Sequence, residues 1–177
     1  MGTEAAWRGP VHSDLQAAKA LVYDACGFRC TEPVPEEESA EYAACAFSVD
    51  GLALRFRVAK TTPTKTGQFV TVWQRSERGP IRPFDVADAV DLFVISSHEG
   101  DRFGQFVFSC EALRARGIVS ADGAGGKRGF RVYPPWAATT SRQARATQAW
   151  QLESFLDIPV AGPLDTARAK ALYQPRR

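Results

Sequence analysis

The sequence predicts a mixed α/β fold in which helices flank a central, largely antiparallel sheet. Two β-hairpins are predicted, at residues 44–59 and 91–109, and hairpins make neighbouring strands antiparallel. Helical periodicity at residues 14–26 and 141–156 adds apolar helix faces that can pack on the sheet. We find no internal repeat and no linker, so the 177 residues are expected to form a single domain.

The hairpin at residues 44–59 is the best-defined local feature. Asp50-Gly51 separates its two apolar segments, and this dipeptide is typical of two-residue turns between antiparallel strands. In the second strand one face is apolar, and the opposite face carries Arg55 and Arg57. The segment at residues 68–75 has apolar residues on both faces, so we expect both to be partly buried.

Capping and turn residues place the other elements. Ser13 is a candidate N-cap for the first helix, Thr140 or Ser141 for the long helix, and Ser109 for a short helix that ends before Gly117. The other predicted elements are a helical turn at residues 85–90, a flexible glycine-rich loop at 122–129, a strand at 130–133 and a terminal helix at 163–173.

The composition is typical of a globular protein. Hydrophobic residues make up 45% of the chain and charged residues 24%. No apolar run approaches the roughly 18–20 residues that a membrane span needs. Residues 1–8 lack the apolar region of a secretory signal. We therefore expect a cytoplasmic protein without membrane contact.

The cysteines and histidines do not form a metal-binding pattern. Cys26 and Cys30 are separated by three residues, Cys45 and Cys110 stand alone, and no Cys-x-x-Cys motif occurs. We expect reduced thiols, no metal site and no cofactor, with a zinc site or a disulfide as the alternatives. His98 lies in a predicted hairpin turn, and no Ser or Cys nucleophile is indicated beside it.

Charge is distributed unevenly although the formal net charge is only +2. Residues 32–41 contain five glutamates and no base. Residues 51–82 contain seven bases against one acid, and residues 123–152 contain five bases and no acid. Such basic segments bind an anion if the fold brings them onto one face. The alternative is a solvated surface on which the charges cancel.

Several motifs together resemble the MepB-like family of small bacterial proteins. They occur in order within residues 40–156: FRVAK at 56–60, TVWQR at 71–75, PFD at 83–85, GQFVF at 104–108, GKRGFRVYPPW at 126–136 and TQAWQ at 147–151. The resemblance implies a restriction-endonuclease-like α/β architecture. It implies no particular activity, because one architecture hosts many functions.

A divergent metal-dependent nuclease is the enzymatic alternative that this architecture suggests. Such an enzyme needs carboxylates to hold Mg²⁺, and usually a lysine near the attacking water. None of the five lysines has an acid two positions before it, so the common acid-x-Lys pattern is absent. One catalytic hypothesis is left, in which residues distant in the sequence come together in the folded protein: Glu41, Lys60, Asp91 and Gln105. Mg²⁺ is an expected cofactor only under this hypothesis.

Anion binding is the favoured hypothesis. Residues 60–67 form a loop of two lysines, four threonines, one proline and one glycine, and residues 125–129 place two bases among glycines. Hydroxyl, ammonium and backbone N–H groups suit phosphate, although P-loop spacing is absent. The predicted contact set is Arg55, Arg57, Lys60, Thr61, Lys65, Lys127, Arg128 and Arg131.

The expected partner is single-stranded or duplex nucleic acid, or another phosphate ligand. Single strands are favoured because no recognition-helix motif occurs. Trp73, Tyr133 and Trp136 are candidates for base stacking, with burial in the core as the alternative. Three glutamines on the long helix are candidate contacts or solvated residues: Gln143, Gln148 and Gln151. A third hypothesis is an accessory factor that binds a protein or small ligand in a stress or efflux system. The sequence does not determine the oligomeric state.

Overall fold

The structure is a computed structural model that describes residues 6–75 and 79–174. Its helices are α1 (Ser13–Ala18), α2 (Cys110–Ala115), α3 (Arg142–Leu152) and α4 (Thr166–Tyr173). A π-helical segment covers Lys19–Asp24, and 3₁₀ turns cover Ala40–Tyr42 and Val86–Asp88. In the part of the chain that the structure describes, no helix combines the length and apolarity needed to cross a bilayer.

Eleven strands are defined in these ranges, in one large and two small sheets. They are β1 (Val34–Pro35), β2 (Cys45–Val49), β3 (Leu52–Val58), β4 (Lys60–Thr61), β5 (Gln68–Thr71), β6 (Trp73–Arg75), β7 (Ile81–Pro83), β8 (Leu92–Glu99), β9 (Arg102–Ser109), β10 (Gly129–Val132) and β11 (Phe155–Asp157).

The central sheet has the strand order β1-β2-β3-β8-β9-β11. β3 and β8 run parallel, with Phe56 opposite Val94, and the other described neighbours in this sheet run antiparallel. A parallel pair needs a crossover, and the chain between β3 and β8 supplies it with the small strands β4 to β7. The predicted mixed, largely antiparallel sheet is therefore confirmed, as are both predicted hairpins.

Each face of the central sheet has its own apolar core. On one face, Leu54 and Val94 pack with residues of α1 and α4. On the other, Phe93 and Phe106 pack with residues of β5, β10 and α2, and Trp150 of α3 packs at the margin of this cluster. Because side chains alternate along a strand, one sheet serves both cores. The result is a three-layer arrangement in which β5, β10 and α3 form the outer layer that carries the site described below.

The first helix begins differently from the prediction. His12, rather than Ser13, is the N-cap, and its Nδ1 accepts a hydrogen bond from the backbone N–H two residues later at 3.0 Å. The π-helical segment that follows has a wider turn than an α-helix, which shifts the buried face. Tyr23 is therefore buried, whereas Ala25 is exposed.

The predicted strand at residues 68–75 is two strands in different sheets. β5 lies between β4 and β10, whereas β6 pairs with β7. Val72 lies between β5 and β6, is buried, and donates its N–H to the carbonyl of Arg128 at 2.9 Å. The chain thus changes partner strands at Val72 without leaving its backbone groups unpaired.

The long helix ends earlier than predicted because the chain adds an edge strand. α3 stops at Leu152, and Phe155–Asp157 pair with β9 as β11. Gly104 on β9 makes this pairing possible, since a Cβ there would lie 2.6 Å from the carbonyl oxygen of Leu156 and would also meet the ring of Phe155. Any side chain at position 104 would push β11 away from the sheet.

We expect Gly104→Ala to lower the free energy of unfolding by about 1–3 kcal/mol, because the added methyl overpacks a site closed by backbone atoms. Urea denaturation followed by circular dichroism measures this loss. Gly9→Ala is the matched control, since a Cβ at Gly9 would be 3.6 Å from a Glu32 oxygen, an ordinary contact. Equal stability of the two variants would contradict the role given to Gly104.

Candidate functional site

A groove of about 660 Å³ lies between β10, α3 and the loops before β5 and β10, and we call it the basic groove. Four cationic side chains line it, together with Trp150 and Tyr133, and its described lining residues include no Asp or Glu. The four cationic residues are Lys65, Arg116, Lys127 and Arg131. The two basic segments recognised in the sequence therefore meet on one face.

Arg131 reaches the groove because of strand alternation on β10. Its neighbours Phe130 and Val132 are buried in the core, so Arg131 points to the opposite side. Its guanidinium donates to the carbonyl of Thr66 at 3.2 Å and to the hydroxyl of Thr62 at 2.6 Å. These bonds hold the 60–67 loop against β10 and place Lys65 at the groove.

Lys127 and Arg116 approach the groove from the other side. The backbone N–H of Lys127 donates to the carbonyl of Ile118 at 2.9 Å, which ties the glycine-rich loop to the chain just after α2. Arg116 follows α2 directly, and its guanidinium carbon lies 5.0 Å from the ring centroid of Trp150. This is a cation–π distance.

Gln151 joins α3 to the free edge of β10. Its side chain is fully buried, accepts the N–H of Tyr133 at 2.8 Å and donates to the carbonyl of Arg131 at 2.8 Å. The amide thus pairs with groups on the edge of β10 that no described strand covers. Gln148 also has a structural role, since it donates to the carbonyls of Pro134 and Ala137 at 3.0 and 3.1 Å.

The cations of the groove lack a carboxylate partner among the described residues. No carboxylate in residues 6–75 and 79–174 forms a salt bridge with Lys65, Arg116 or Lys127, and Arg131 bonds only to loop oxygens. Uncompensated positive charges in a concave surface raise the local concentration of anions. The groove is therefore suited to a ligand with several negative charges.

Arg55 and Arg57, both in the predicted contact set, bind Glu36 instead. Arg57 is 1% exposed and donates to Glu36 Oε1 at 2.8 Å, and Arg55 lies 3.6 Å from Glu36 Oε2. Burial lowers the pKa of Arg57, and the Glu36 carboxylate opposes that shift. Their guanidinium groups lie against Glu36 and Phe84, so the structure does not bring these two predicted contact residues to the groove.

The other predicted contact residues lie outside the groove. The Lys60 ammonium lies 4.8 Å from the ring centroid of Tyr42. The Thr61 hydroxyl donates to Glu99 at 3.3 Å. Arg128 is exposed but does not line the groove. Three of the eight predicted residues are thus brought together: Lys65, Lys127 and Arg131.

The fold does not assemble the predicted nuclease set. Asp91 accepts the N–H of Ala53 at 2.8 Å at the start of β3, whereas Lys60 lies seven residues further on, about 23 Å away along an extended strand. Gln105 is buried on the α4 side of the sheet, where it accepts the hydroxyl of Tyr173 at 2.6 Å. Glu41 lies on the 3₁₀ turn next to the ring that Lys60 covers. The four residues cannot share one metal ion.

The cysteines are free thiols, and Cys45 is buried. Burial raises the pKa of Cys45 to about 12. Among the described residues, no group of three or more His, Cys, Asp or Glu side chains is placed to hold a metal. His98 is a partly exposed residue whose Nδ1 lies 2.9 Å from the buried carboxylate of Asp14, on the α1 side of the central sheet.

Local sequence patterns do not mark Arg116 and Trp150 as groove residues. Arg116 ends a short predicted helix, and the helical periodicity around Trp150 is typical of a core position. Each lies far along the chain from the 60–67 loop. No local spacing could have linked them, since they meet only through the packing of α2 and α3 around β10.

The fold and groove define a small mixed α/β domain with a basic, aromatic-lined cleft. The chain belongs to the MepB-like family, whose model matches residues 36–157. It is also similar to the crystal structure of MepB, with 34% sequence identity, a TM-score of 0.70, and coverage of 72% of this chain and 86% of that one. No curated protein matches the chain. The resemblance stated from the motifs is confirmed, and the restriction-endonuclease-like assignment stays a prediction.

We expect Gln151→Ala to destabilise the protein by about 1–3 kcal/mol, because it leaves the Tyr133 N–H and the Arg131 carbonyl without partners at a buried site. Urea denaturation measures the loss. Gln143→Ala on the same helix is the control, because Gln143 is exposed and should be neutral. A neutral Gln151→Ala would show that α3 docks without this amide.

We expect Glu36→Gln to cost about 3–5 kcal/mol, since it leaves Arg57 buried without a counterion. Glu37→Gln changes the charge by the same amount at an exposed neighbouring position and serves as the control. Thermal unfolding of both variants at the same pH makes the comparison. Equal midpoint temperatures of unfolding for the two variants would show that Glu36 does not compensate the charge of Arg57.

Proposed function

We propose that the protein is a nucleic-acid- or phosphate-binding domain and that the basic groove is its binding site. One observation carries the proposal: four cationic side chains from separate segments converge on one concave surface without a carboxylate among its described lining residues. Holding like charges together is unfavourable unless an anion compensates them. A ligand with several phosphates supplies that compensation.

The composition of the groove suits phosphates in particular. Lysine and arginine form charge-assisted hydrogen bonds with phosphate oxygens, and hydroxyl and amide groups add neutral ones. Ser141, Gln143 and Thr147 of the α3 region line the groove beside the cations. A neighbouring cavity of about 200 Å³ shares Lys65 and Arg131 and extends the same surface.

Nucleic acid is the ligand class favoured over a small phosphate compound because of the shape of the site. The lining residues of the two adjoining cavities extend together along α3, from Thr140 before its start to Gln151 near its end. An extended chain of phosphates can follow such a surface, and aromatic residues beside it can contact bases. A cytoplasmic location, as expected from the sequence, belongs to this proposal.

The proposal is tested by fluorescence anisotropy with labelled single-stranded and duplex DNA and RNA, at several salt concentrations. We expect saturable binding whose logarithmic salt slope is about −3 for a single strand if all four cations contact phosphates. Lys65→Ala/Lys127→Ala should weaken binding and make the slope less steep by about 1.4. Inorganic polyphosphate should compete with the labelled strands.

Lys60→Ala is the matched control, because Lys60 lies on Tyr42 outside the groove. It should leave the affinity and the salt slope close to those of the unmodified protein. Absence of binding by any of the four nucleic acids and by polyphosphate would overturn the proposal. An equal loss of affinity in Lys60→Ala and in Lys65→Ala/Lys127→Ala would show that the binding site is not the basic groove.

A further inference from the structure

Trp150 presents an aromatic ring to the basic groove from a rigid support. The residue is partly buried, and its ring packs against Phe108 with a centroid distance of 5.6 Å. Phe108 itself contacts Phe106 at 5.6 Å and Phe130 at 6.0 Å in the core. The orientation of the Trp150 ring is therefore set from inside the protein, while part of the residue lines the groove.

Arg116 covers this ring. Its guanidinium carbon lies 5.0 Å from the ring centroid, and the side chain is exposed. No carboxylate of the described chain pairs with Arg116, so its contact with Trp150 is the interaction that the structure gives its guanidinium. A single cation–π contact at an exposed site is weak, which makes the arginine easy to displace.

The other aromatic residues near the groove are less available. Tyr133 packs against Gly67, where a Cβ would lie 2.7 Å from the tyrosine ring. Trp136 donates its indole N–H to Glu99 at 3.0 Å and does not line the groove. Trp73 also lies outside the groove. Trp150 is thus the ring that the geometry offers to a ligand.

We infer that the basic groove binds single-stranded nucleic acid, with one base stacked on Trp150 in the position that the Arg116 guanidinium occupies in the free protein. The inference rests on the proposed function and names its ligand class. A displaced Arg116 stays within the groove and can pair with a phosphate of the same strand. The exchange replaces a cation–π contact by base stacking and a charge-assisted hydrogen bond.

The preference for a single strand follows from the position of the ring. Trp150 lies inside a groove, and a base must leave its stack and its pairing partner to reach it. A single strand offers unpaired bases at little cost, whereas a duplex must first open. Because every base has an aromatic face, binding should tolerate changes of sequence.

The test compares a labelled single-stranded 12-mer with an abasic 12-mer of the same backbone and with the duplex, by anisotropy. The unmodified protein should bind the base-containing strand about tenfold more tightly than the abasic one. Trp150→Leu should reduce its affinity to that of the abasic strand and leave abasic binding unchanged. Trp73→Leu is the control and should keep the tenfold preference.

Arg116→Ala distinguishes displacement of the Arg116 guanidinium by a base from a purely electrostatic contribution of this residue to binding. If a base displaces Arg116 onto a phosphate, Arg116→Ala should make the salt slope less steep by about 0.7 for the base-containing strand and leave that of the abasic strand unchanged. Equal changes of the salt slope for the two strands would overturn the displacement of Arg116.

A second measurement uses the unmodified protein, so that it stands even if Trp150→Leu does not fold. Photocrosslinking of a single strand that contains 5-bromouracil should label the tryptic peptide of residues 146–168, whose single tryptophan is Trp150. Crosslinks confined to other peptides would overturn the inference.

Two results distinguish this inference from the proposed function. Equal binding of abasic and base-containing strands, both lost in Lys65→Ala/Lys127→Ala, would overturn stacking on Trp150 and leave the phosphate site in place. Tighter binding of the duplex than of the single strand would also overturn the inference alone. Failure of the strands and of polyphosphate to bind would overturn both.

Discussion

The antiparallel pairing of β5 with β10 is the interaction on which the site depends. It places Gly129 opposite Thr71 and Arg131 opposite Phe69, and so joins segments about sixty residues apart in sequence. The pairing requires Gly129, since a Cβ there would lie 2.6 Å from the Phe69 ring and 3.0 Å from the carbonyl oxygen of Val70. This strand pair is therefore what brings the 60–67 loop and the glycine-rich loop onto the same face of the protein.

Two groups of bases in the basic segments lie in opposite electrostatic surroundings. Arg55 and Arg57 point from β3 toward the acidic segment, where Glu36 neutralises them and Arg57 becomes part of the protein interior. Lys65, Lys127 and Arg131 extend from the outer layer, where no described carboxylate pairs with them. The positive charge of the sequence is therefore divided: part of it binds the acidic segment to the sheet, and part of it lines the basic groove, the proposed binding site.

Family membership and the geometry support different parts of the picture. The MepB-like match and the similarity to the crystal structure of MepB establish what kind of chain this is, and they name no ligand. The arrangement of side chains decides which function to propose. Asp91 lies far from Lys60, whereas the cations of the basic groove converge, so the geometry supports the proposal of binding rather than the nuclease hypothesis.

The local elements were predictable because their causes are local. Asp50-Gly51 adopts the positive backbone angles of a hairpin turn, with φ of 49° and 82°, and Ser109 and Ser141 cap their helices as expected. The predictions of element boundaries were wrong where pairing with a strand distant in the sequence determines the local structure. The strand at residues 68–75 divides because its two halves pair with different strands, and α3 stops at Leu152 because β9 offers an edge to Phe155–Asp157.

The sequence by itself determined the fold class, the family, both hairpins and the presence of two basic segments. The tertiary structure decided which bases are neutralised, which ones converge, and that Trp150 and Arg116 join them. The physical reason is that charge and hydrogen-bonding capacity belong to single residues, whereas a counterion or a shared groove depends on distances between residues remote in the chain. Those distances are set by strand pairing and core packing, which no local pattern contains.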